Sequence, residues 1–540
     1  MKRNILVSLM LILVSCSSLN NQSNPNKIKL RLLHTNDHHG HYLPNEKGEY
    51  GMSPRKTLID KLRSENNSNG GYGLLLSGGD INTGTMESDI FDAEPDFLGM
   101  KALGYDAMAI GNHEFDNSFK VIKKQQELAG FPFLSANIFY KGTKKRVFQP
   151  EYIVKTFGNI KVGIFGLTTV DTPFKASHED AKTLFDFRNI IDSAKDIVKK
   201  LKEKEKVDFI FVTTHIGHHG SATSNGDIKL AMAVPEIDVI VGGHSQEIIN
   251  AEKHNNTIVI QAMEWGKYVG VLDLELSKTN KEKKQISYKL IPVNLKNKVD
   301  GEYVFVEKEI STNDQMENLF AKYKKEAEII GSKKVGVLDS TLDGDRFKVR
   351  TSQAEIAQFM GRAVRDKFRD VDSVIINGGS IRDSLPAGDI TRKKIHAVHP
   401  YGNSIGMIKF NAKEFFEYCE KIIPNSVVDK QNILGGYPHL INMKWYFQNK
   451  KLVKIASRDG KWSITKNKSG KISSKKKQFI YSTLNFLARG GDNYPKISNH
   501  KNYVDTGFMI NTIMMDFVEK RKIIRKNDYK ISDKEVLIKK

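Results

Sequence analysis

Short apolar runs separated by mixed stretches dominate the first half of the chain. Ile28 to Leu33 alternates Lys and Arg with apolar residues and ends in Leu32-Leu33, the pattern of a strand with one buried face. Leu74-Leu75-Leu76, Asp106 to Ile110, Val162 to Leu167, Asp208 to Thr214 and Asp238 to Val241 are continuous apolar runs, as expected of strands covered on both sides. Helical stretches such as Ile191 to Lys202 lie between them. Strands alternating with helices predict a layered α/β domain.

The pattern changes past Leu290. Ser311 to Ile330 is helix-forming and rich in Lys and Glu, with Phe320 and Tyr323 three apart. It reads as a solvated helix connecting two domains, or more plainly as a surface helix of the first domain. From Gly331 a second domain begins. Ser352 to Phe368 places Ile356, Phe359, Met360, Ala363 and Val364 on one helical face. Ser373 to Ile376 follows as a buried strand. Cys419 falls in an amphipathic helix, as a buried thiol without chemical importance. The expected divisions are 27–310, a linker helix over 311–330, a second domain over 331–525 and a basic tail over 526–540.

Length and charge narrow the class. The 540 residues allow about three domains, or two large ones, at roughly 100–200 residues each. With 39% hydrophobic and 27% charged residues the composition is globular. The net charge of +21 favours anionic ligands: nucleotides, phosphate esters or an anionic membrane surface. The lysines are scattered and no recognition motif accompanies them, so nucleic acid is not an expected partner.

Two cysteines cannot build a disulfide framework. Lys2-Arg3 followed by the apolar run Ile5 to Val14 is a signal segment, too short to span a bilayer. Leu13-Val14-Ser15-Cys16 has the form of a bacterial lipobox. Cys16 is therefore the expected lipidation site after removal of 1–15, with 16–26 as a polar tether. The expected location is extracytoplasmic, anchored by lipid to a bacterial membrane. No other stretch is long enough to cross one.

The chemistry collects where the apolar runs end. Asp37 and His39 follow the first, two apart and on one face of an extended segment. Ser77-Gly78-Gly79-Asp80 delivers a carboxylate that two metals can share. Gly111-Asn112-His113-Glu114-Phe115-Asp116 offers an amide oxygen and an imidazole, with Asp116 at i+3 to orient the His113 ring. His215 ends the fifth run, and His244 and Gln246 follow the sixth with the same two-residue spacing. Val162 to Leu167 ends in Thr168-Thr169, which receive no role. Taken singly, each segment also reads as a cap, a turn or a polar loop. Five strand ends bearing metal-competent residues read together as a metal site at the carboxyl edge of a sheet.

These segments, in order, resemble the motifs of calcineurin-like metallophosphatases. Glu264-Trp265-Gly266-Lys267-Tyr268-Val269-Gly270 and the C-terminal half narrow the resemblance to the bacterial periplasmic 5′-nucleotidase/UDP-sugar hydrolase family, over nearly all of 27–525. The fold it implies is α/β: a layered β-sandwich-with-helices metallophosphatase domain, the linker helix and a second α/β nucleotide-binding domain. It implies two divalent metal ions, drawn from Zn, Mn, Co or Fe. Asp37, His39 and Gln246 would hold one; Asn112, His215 and His244 would hold the other; Asp80 would bridge them. His113 would be catalytic, with Asp116 as its orienting partner.

In the second half, Asp343-Gly344-Asp345-Arg346, Arg350 and Asn377-Gly378-Gly379-Ser380-Ile381-Arg382 offer arginines beside glycines, suited to an anion. Pro400-Tyr401-Gly402-Asn403 and Asn485-Phe486 to Asp492 offer aromatic rings, which alone read equally as core. The resemblance places Tyr401 and Phe486 at stacking positions for a nucleoside, with Arg346, Arg350, Arg382, Asn403 and Asp492 as polar contacts. Tyr401 departs from the Phe expected there. With metals in one domain and the base site in the other, closure by domain rotation is implied.

The resemblance implies action on small-molecule nucleotides, chiefly nucleoside 5′-monophosphates, with UDP-sugar or NAD pyrophosphate bonds as candidate further substrates, through a metal-activated water; a monomer is expected. Two alternatives stand beside it: a 2′,3′-cyclic-nucleotide phosphodiesterase/3′-nucleotidase, and a non-catalytic nucleotide-binding surface lipoprotein.

Overall fold

All six apolar runs of the first half form strands: Lys27–Thr35, Tyr72–Ser77, Ala107–Ala109, Ile160–Thr168, Phe209–His215 and Val239–Val241. This computed structural model describes residues 26–45, 47–176, 178–220, 224–401, 403–426 and 435–539. The expected signal segment and Cys16, and the tether apart from its last residue, lie outside the described residues.

The six strands divide between two six-stranded sheets. Lys27–Thr35, Tyr72–Ser77 and Ala107–Ala109 run parallel in one. Ile160–Thr168, Phe209–His215 and Val239–Val241 run parallel in the other. Successive strand residues point to opposite faces, and the sequence uses both. Leu32, Leu74, Leu76, Ile164, Phe211 and Val241 fill one cluster between the sheets. Leu33, Leu75 and Met108 face outward onto Leu58, Ile59, Phe97 and Ile122 of the covering helices. Phe165, Ile210, Val212 and Ile240 meet Ile190, Ala194 and Ile197 on the opposite side. The first domain is thus a sandwich covered by helices, and parallel pairing puts the ligand-bearing ends of each sheet along one edge.

The connecting helix spans Asp314–Gly331 and is not wholly solvated. Met316, Phe320, Tyr323 and Ala327 are buried, and the first three belong to the first-domain core. Phe320 lies 4.8 Å from the Tyr42 ring, and the Tyr323 hydroxyl donates to Glu94 Oε1 at 2.6 Å. One face is core and the other is Lys/Glu-rich surface.

The second domain is built on a five-stranded sheet in which Ser373–Asn377 lies between Pro438–Ile441 and the central strand Gln478–Leu484. Helix Glu355–Lys367 buries Ile356, Phe359, Met360, Ala363 and Val364 as its periodicity predicts. Cys419 is buried in helix Ala412–Ile422. The stretch set apart as a basic tail is part of this domain. Strand Leu537–Lys539 pairs in parallel with Lys444–Gln448, and Tyr529 and Val536 enter the core. Lys530 and Lys534 are exposed, while a few apolar residues anchor the stretch.

Candidate metal centre and substrate cleft

The strand ends meet. Asp80 lies between the two sheets' contributions: its Oδ2 is 2.8 Å from His215 Nε2 and 4.0 Å from His39 Nε2. His39 Nε2 is also 3.8 Å from Asp37 Oδ1, and His244 Nδ1 is 3.2 Å from His215 Nε2. Two groups of converging donor atoms share Asp80: one adds His39 and His113, the other His215 and His244.

The backbone is bent to make this possible. Asp37, His39, Asp80, His244 and Gln246 all have positive φ, of 51°, 50°, 55°, 76° and 54°. Non-glycine residues rarely adopt that region, and such strain persists where surrounding structure over-determines it. Part of that surrounding structure is visible. The His244 N–H donates to Asp37 Oδ2 at 3.0 Å, and the His113 N–H donates to Asp80 Oδ1 at 2.9 Å. The Trp265 N–H donates to the Asp37 carbonyl at 2.7 Å, giving the Glu264–Gly270 motif a positioning role.

Ring orientations are set from behind. His215 Nδ1 lies 2.7 Å from the Gly78 carbonyl and His39 Nδ1 lies 2.9 Å from the Thr83 carbonyl. Donation there aims both Nε2 atoms at the centre, as metal-ligating imidazoles require; burial opposes charge on His215, but Asp80 pushes it up to about 9, so a cation there would replace its Nε2 proton. Burial lowers His39 to about 4, keeping it neutral. For Asp80 burial acts upward, but His215, His113 and His39 outweigh it and hold the carboxyl well below the usual range. Asn112 Oδ1 is buried without a hydrogen-bond partner among the described residues, and Asn112 lines the cleft beside the cluster. Carboxylates, imidazoles and amide oxygens suit divalent cations of the Zn, Mn, Co or Fe class, so the residues present fit the implied metals.

His113 stands beside this cluster. Its Nδ1 is 2.6 Å from Asp116 Oδ2, the contact expected from the i+3 spacing, on the single 3₁₀ turn His113–Asp116. Burial would lower its pKa, but the Asp116 and Asp80 carboxylates prevail and push it up to about 10.

Gln246 is placed differently from a simple ligand. Its Nε2 lies 2.9 Å from His39 Nε2, while its Oε1 accepts from Arg489 Nη1 of the second domain at 2.9 Å. A cleft runs between the domains here. His39, Asp80, Asn112, His113, His244 and Gln246 line one wall, and Ser404, Asn485, Arg489 and Asp505 stand opposite.

The seven residues expected to contact substrate do not line that cleft. They gather elsewhere on the second domain. Burial opposes the Arg350 charge, and so do the guanidiniums of Arg346 and Arg382, while Asp492 and Tyr401 favour it. The Arg382 guanidinium sits 5.7 Å from the Tyr401 ring centre. Arg350 Nε is buried without a partner among the described residues. Asp492 Oδ2 accepts from Asn377 Nδ2 at 2.6 Å, and Asn403 Nδ2 donates to Asn485 Oδ1 at 3.1 Å. Phe486 is 42% exposed, its ring lying over Gly491 at the domain surface.

Comparison with known proteins matches both halves. Residues 30–247 fit the calcineurin-like phosphoesterase family, and residues 332–499 fit the C-terminal domain of 5′-nucleotidase. The chain is 40% identical to Protein UshA of Escherichia coli (strain K12) over 522 residues, covering 91% of each. It is also 40% identical to a 5′-nucleotidase of Vibrio cholerae over 521 residues, covering 91% of this chain and 90% of that one. Among solved structures, the NAD nucleotidase of Haemophilus influenzae superposes with a TM-score of 0.68 at 21% identity, covering 95% of this chain and all of that one. The chain belongs to the two-domain 5′-nucleotidase family.

Sequence reading passed over three residues of this 5′-nucleotidase-family site. Glu114 reads as an ordinary acid in a helical first turn, yet it is buried and its carboxylate ties two loops together. It accepts from Gly111 N at 2.6 Å, Ile81 N at 2.7 Å and Asp80 N at 3.2 Å. Its place inside the Gly111–Asp116 segment was the available signal. Arg489 and Asp505 enter through the domain arrangement, which no local pattern carries.

Proposed function

We propose that this 5′-nucleotidase-family enzyme hydrolyses nucleoside 5′-monophosphates to nucleoside and phosphate, with pyrophosphate bonds of UDP-sugars or NAD as further substrates. The observation that carries this reading is Asp80, shared by two donor groups at the joined strand ends. Asp37, His39 and Gln246 would hold one divalent cation, Asn112, His215 and His244 a second, with Asp80 common to both. When bound, the cations supply Lewis-acid polarisation of the phosphate and activation of a water.

The chain's own groups do the rest. Asp116 accepts a hydrogen bond from the Nδ1–H of His113, leaving Nε2–H to face the phosphoryl oxygen or the leaving oxygen; held protonated, the ring offsets charge as it develops. Tyr401 and Phe486 would sandwich the base, worth about 1–3 kcal/mol per stacked ring. Arg346, Arg350 and Arg382 supply the positive surface, and Asn403 and Asp492 the polar contacts. Because the aromatic and arginine residues stand outside the metal cleft, substrate must be carried there by rotation of the second domain. That movement releases Gln246 from Arg489 and frees its carbonyl oxygen.

Lipidation at Cys16 would anchor the enzyme outside the cytoplasm, as a monomer, with the described chain facing solvent. Among the described residues no helix is long and apolar enough to cross a membrane.

A substrate panel tests the reading. Purified enzyme is supplied with AMP, UDP-glucose, NAD and 2′,3′-cyclic AMP under identical metal loading. Turnover of AMP above the cyclic substrate is expected. Turnover of the cyclic ester alone transfers the site to the phosphodiesterase class, and binding without turnover of any leaves a nucleotide-binding lipoprotein.

A further inference from the structure

A third group of metal-competent side chains lies away from the shared carboxylate: His218, Glu252 and His254. His218 Nε2 is 3.1 Å and His254 Nε2 is 3.3 Å from the same oxygen, Glu252 Oε2. The three ligand atoms all lie within 4.8 Å of one another.

Two elements are shaped to bring them together. Glu252 and His254 share one face of Ile248–His254, the edge strand of the second sheet. Pairing with Thr257–Ala262 slips between Ile249 and Glu252, and Ala251 takes φ 53°. A bulge of this kind re-aims side chains at sheet edges. His218 arrives from the segment after Phe209–His215. Its N–H donates to Ser245 Oγ at 3.2 Å and its carbonyl accepts from Ile228 N, also at 3.2 Å.

The ring itself calls for a partner. His218 is 3% exposed, and its Nδ1 is buried with no hydrogen-bond partner among the described residues. The nitrogen that lacks a partner is Nδ1; the one offered to the cluster is Nε2, which meets a carboxylate oxygen already shared with a second imidazole. Glu252 is about half exposed and His254 partly so, leaving solvent access on one side.

We propose that His218, Glu252 and His254 form a third divalent-cation site, of the Zn²⁺ class, separate from the dinuclear centre. Two imidazoles and one carboxylate are a recognised zinc donor set, with water completing the coordination. An ion there would tie the edge strand to the segment following His215. It would also brace Gly217, whose N–H donates to the Gly243 carbonyl at 3.1 Å beside His244. The site stands independently of the substrate assigned to the enzyme.

The test uses the full chain purified in detergent, stripped with a chelator, reloaded with Zn²⁺ alone and dialysed against buffered free Zn²⁺. Zinc per chain is measured for wild type, Glu252→Gln and His254→Ala. Wild type is expected to hold one more zinc than either variant. Equal zinc content overturns the proposal. Thermal melts with and without Zn²⁺ give a second reading that needs no comparison of yields. The Zn²⁺-induced rise in Tm is expected to be smaller in Glu252→Gln than in wild type, and an identical rise in both contradicts the site.

Discussion

His113 shows how one residue's chemistry is set by two neighbours. Asp116 holds its Nδ1 at 2.6 Å, and Asp80 adds a second negative charge. Burial alone would strip the proton; the carboxylates keep it, up to about 10. A raised pKa means that the protonated form is present below it and lost as pH rises through it. Asp116→Asn removes the support that contacts the ring, leaving Asp80 and the more weakly acting Asp505, so the alkaline limb of the kcat profile for AMP is expected to move to lower pH. A neighbouring opposite charge shifts a pKa by about 1–3 units, which sets the size of the displacement. A limb at the same pH in both enzymes contradicts the role. The pairing was legible from i+3 spacing alone. Glu114, one residue further on, was not. Its helix-start appearance matches many surface acids, and only the folded loops reveal the backbone N–H groups converging on it.

At the scale of elements, most strands were legible because both faces are used, and Lys27–Thr35 because Lys and Arg alternate with buried residues over its first half. Leu32 and Leu33, or Leu75 and Leu76, sit in different clusters on opposite sides of one sheet, so continuous apolar runs mark them without ambiguity. The connecting helix was half legible. Its Lys and Glu residues suggested solvent, but Met316, Phe320, Tyr323 and Ala327 form a buried stripe at spacings of four, three and four. Phe320→Ala should therefore cost about 3–5 kcal/mol, as for a core phenylalanine, read as a lowered urea midpoint. A loss within about 0.5 kcal/mol, the range of surface changes, would return the helix to solvent. The segment 526–539 was misread for the same reason: a few apolar anchors, Tyr529 and Val536 among them, are outnumbered by charge.

At the scale of the molecule, two prepared surfaces do not face one another. The metal-competent strand ends look onto Ser404, Asn485, Arg489 and Asp505, while Phe486 and the crowded arginines lie outside that cleft. Asn403 and Ser404 are sequence neighbours, as are Asn485 and Phe486, so the proposed turn of the domain would exchange one set for the other. Local motifs carried each half of the site; the distance between the halves depends on domain arrangement, which periodicity does not encode. The central claim is that the strand-end cluster hydrolyses nucleotides only with its cations and with His113. The most direct test is phosphate release from AMP by metal-loaded enzyme, by the same enzyme after chelation, and by metal-loaded His113→Ala. The account predicts release that is abolished by chelation, restored by divalent metal, and reduced about 10²–10⁴-fold in the variant, the range for a general acid. Release that survives chelation, or a variant as fast as wild type, would contradict it.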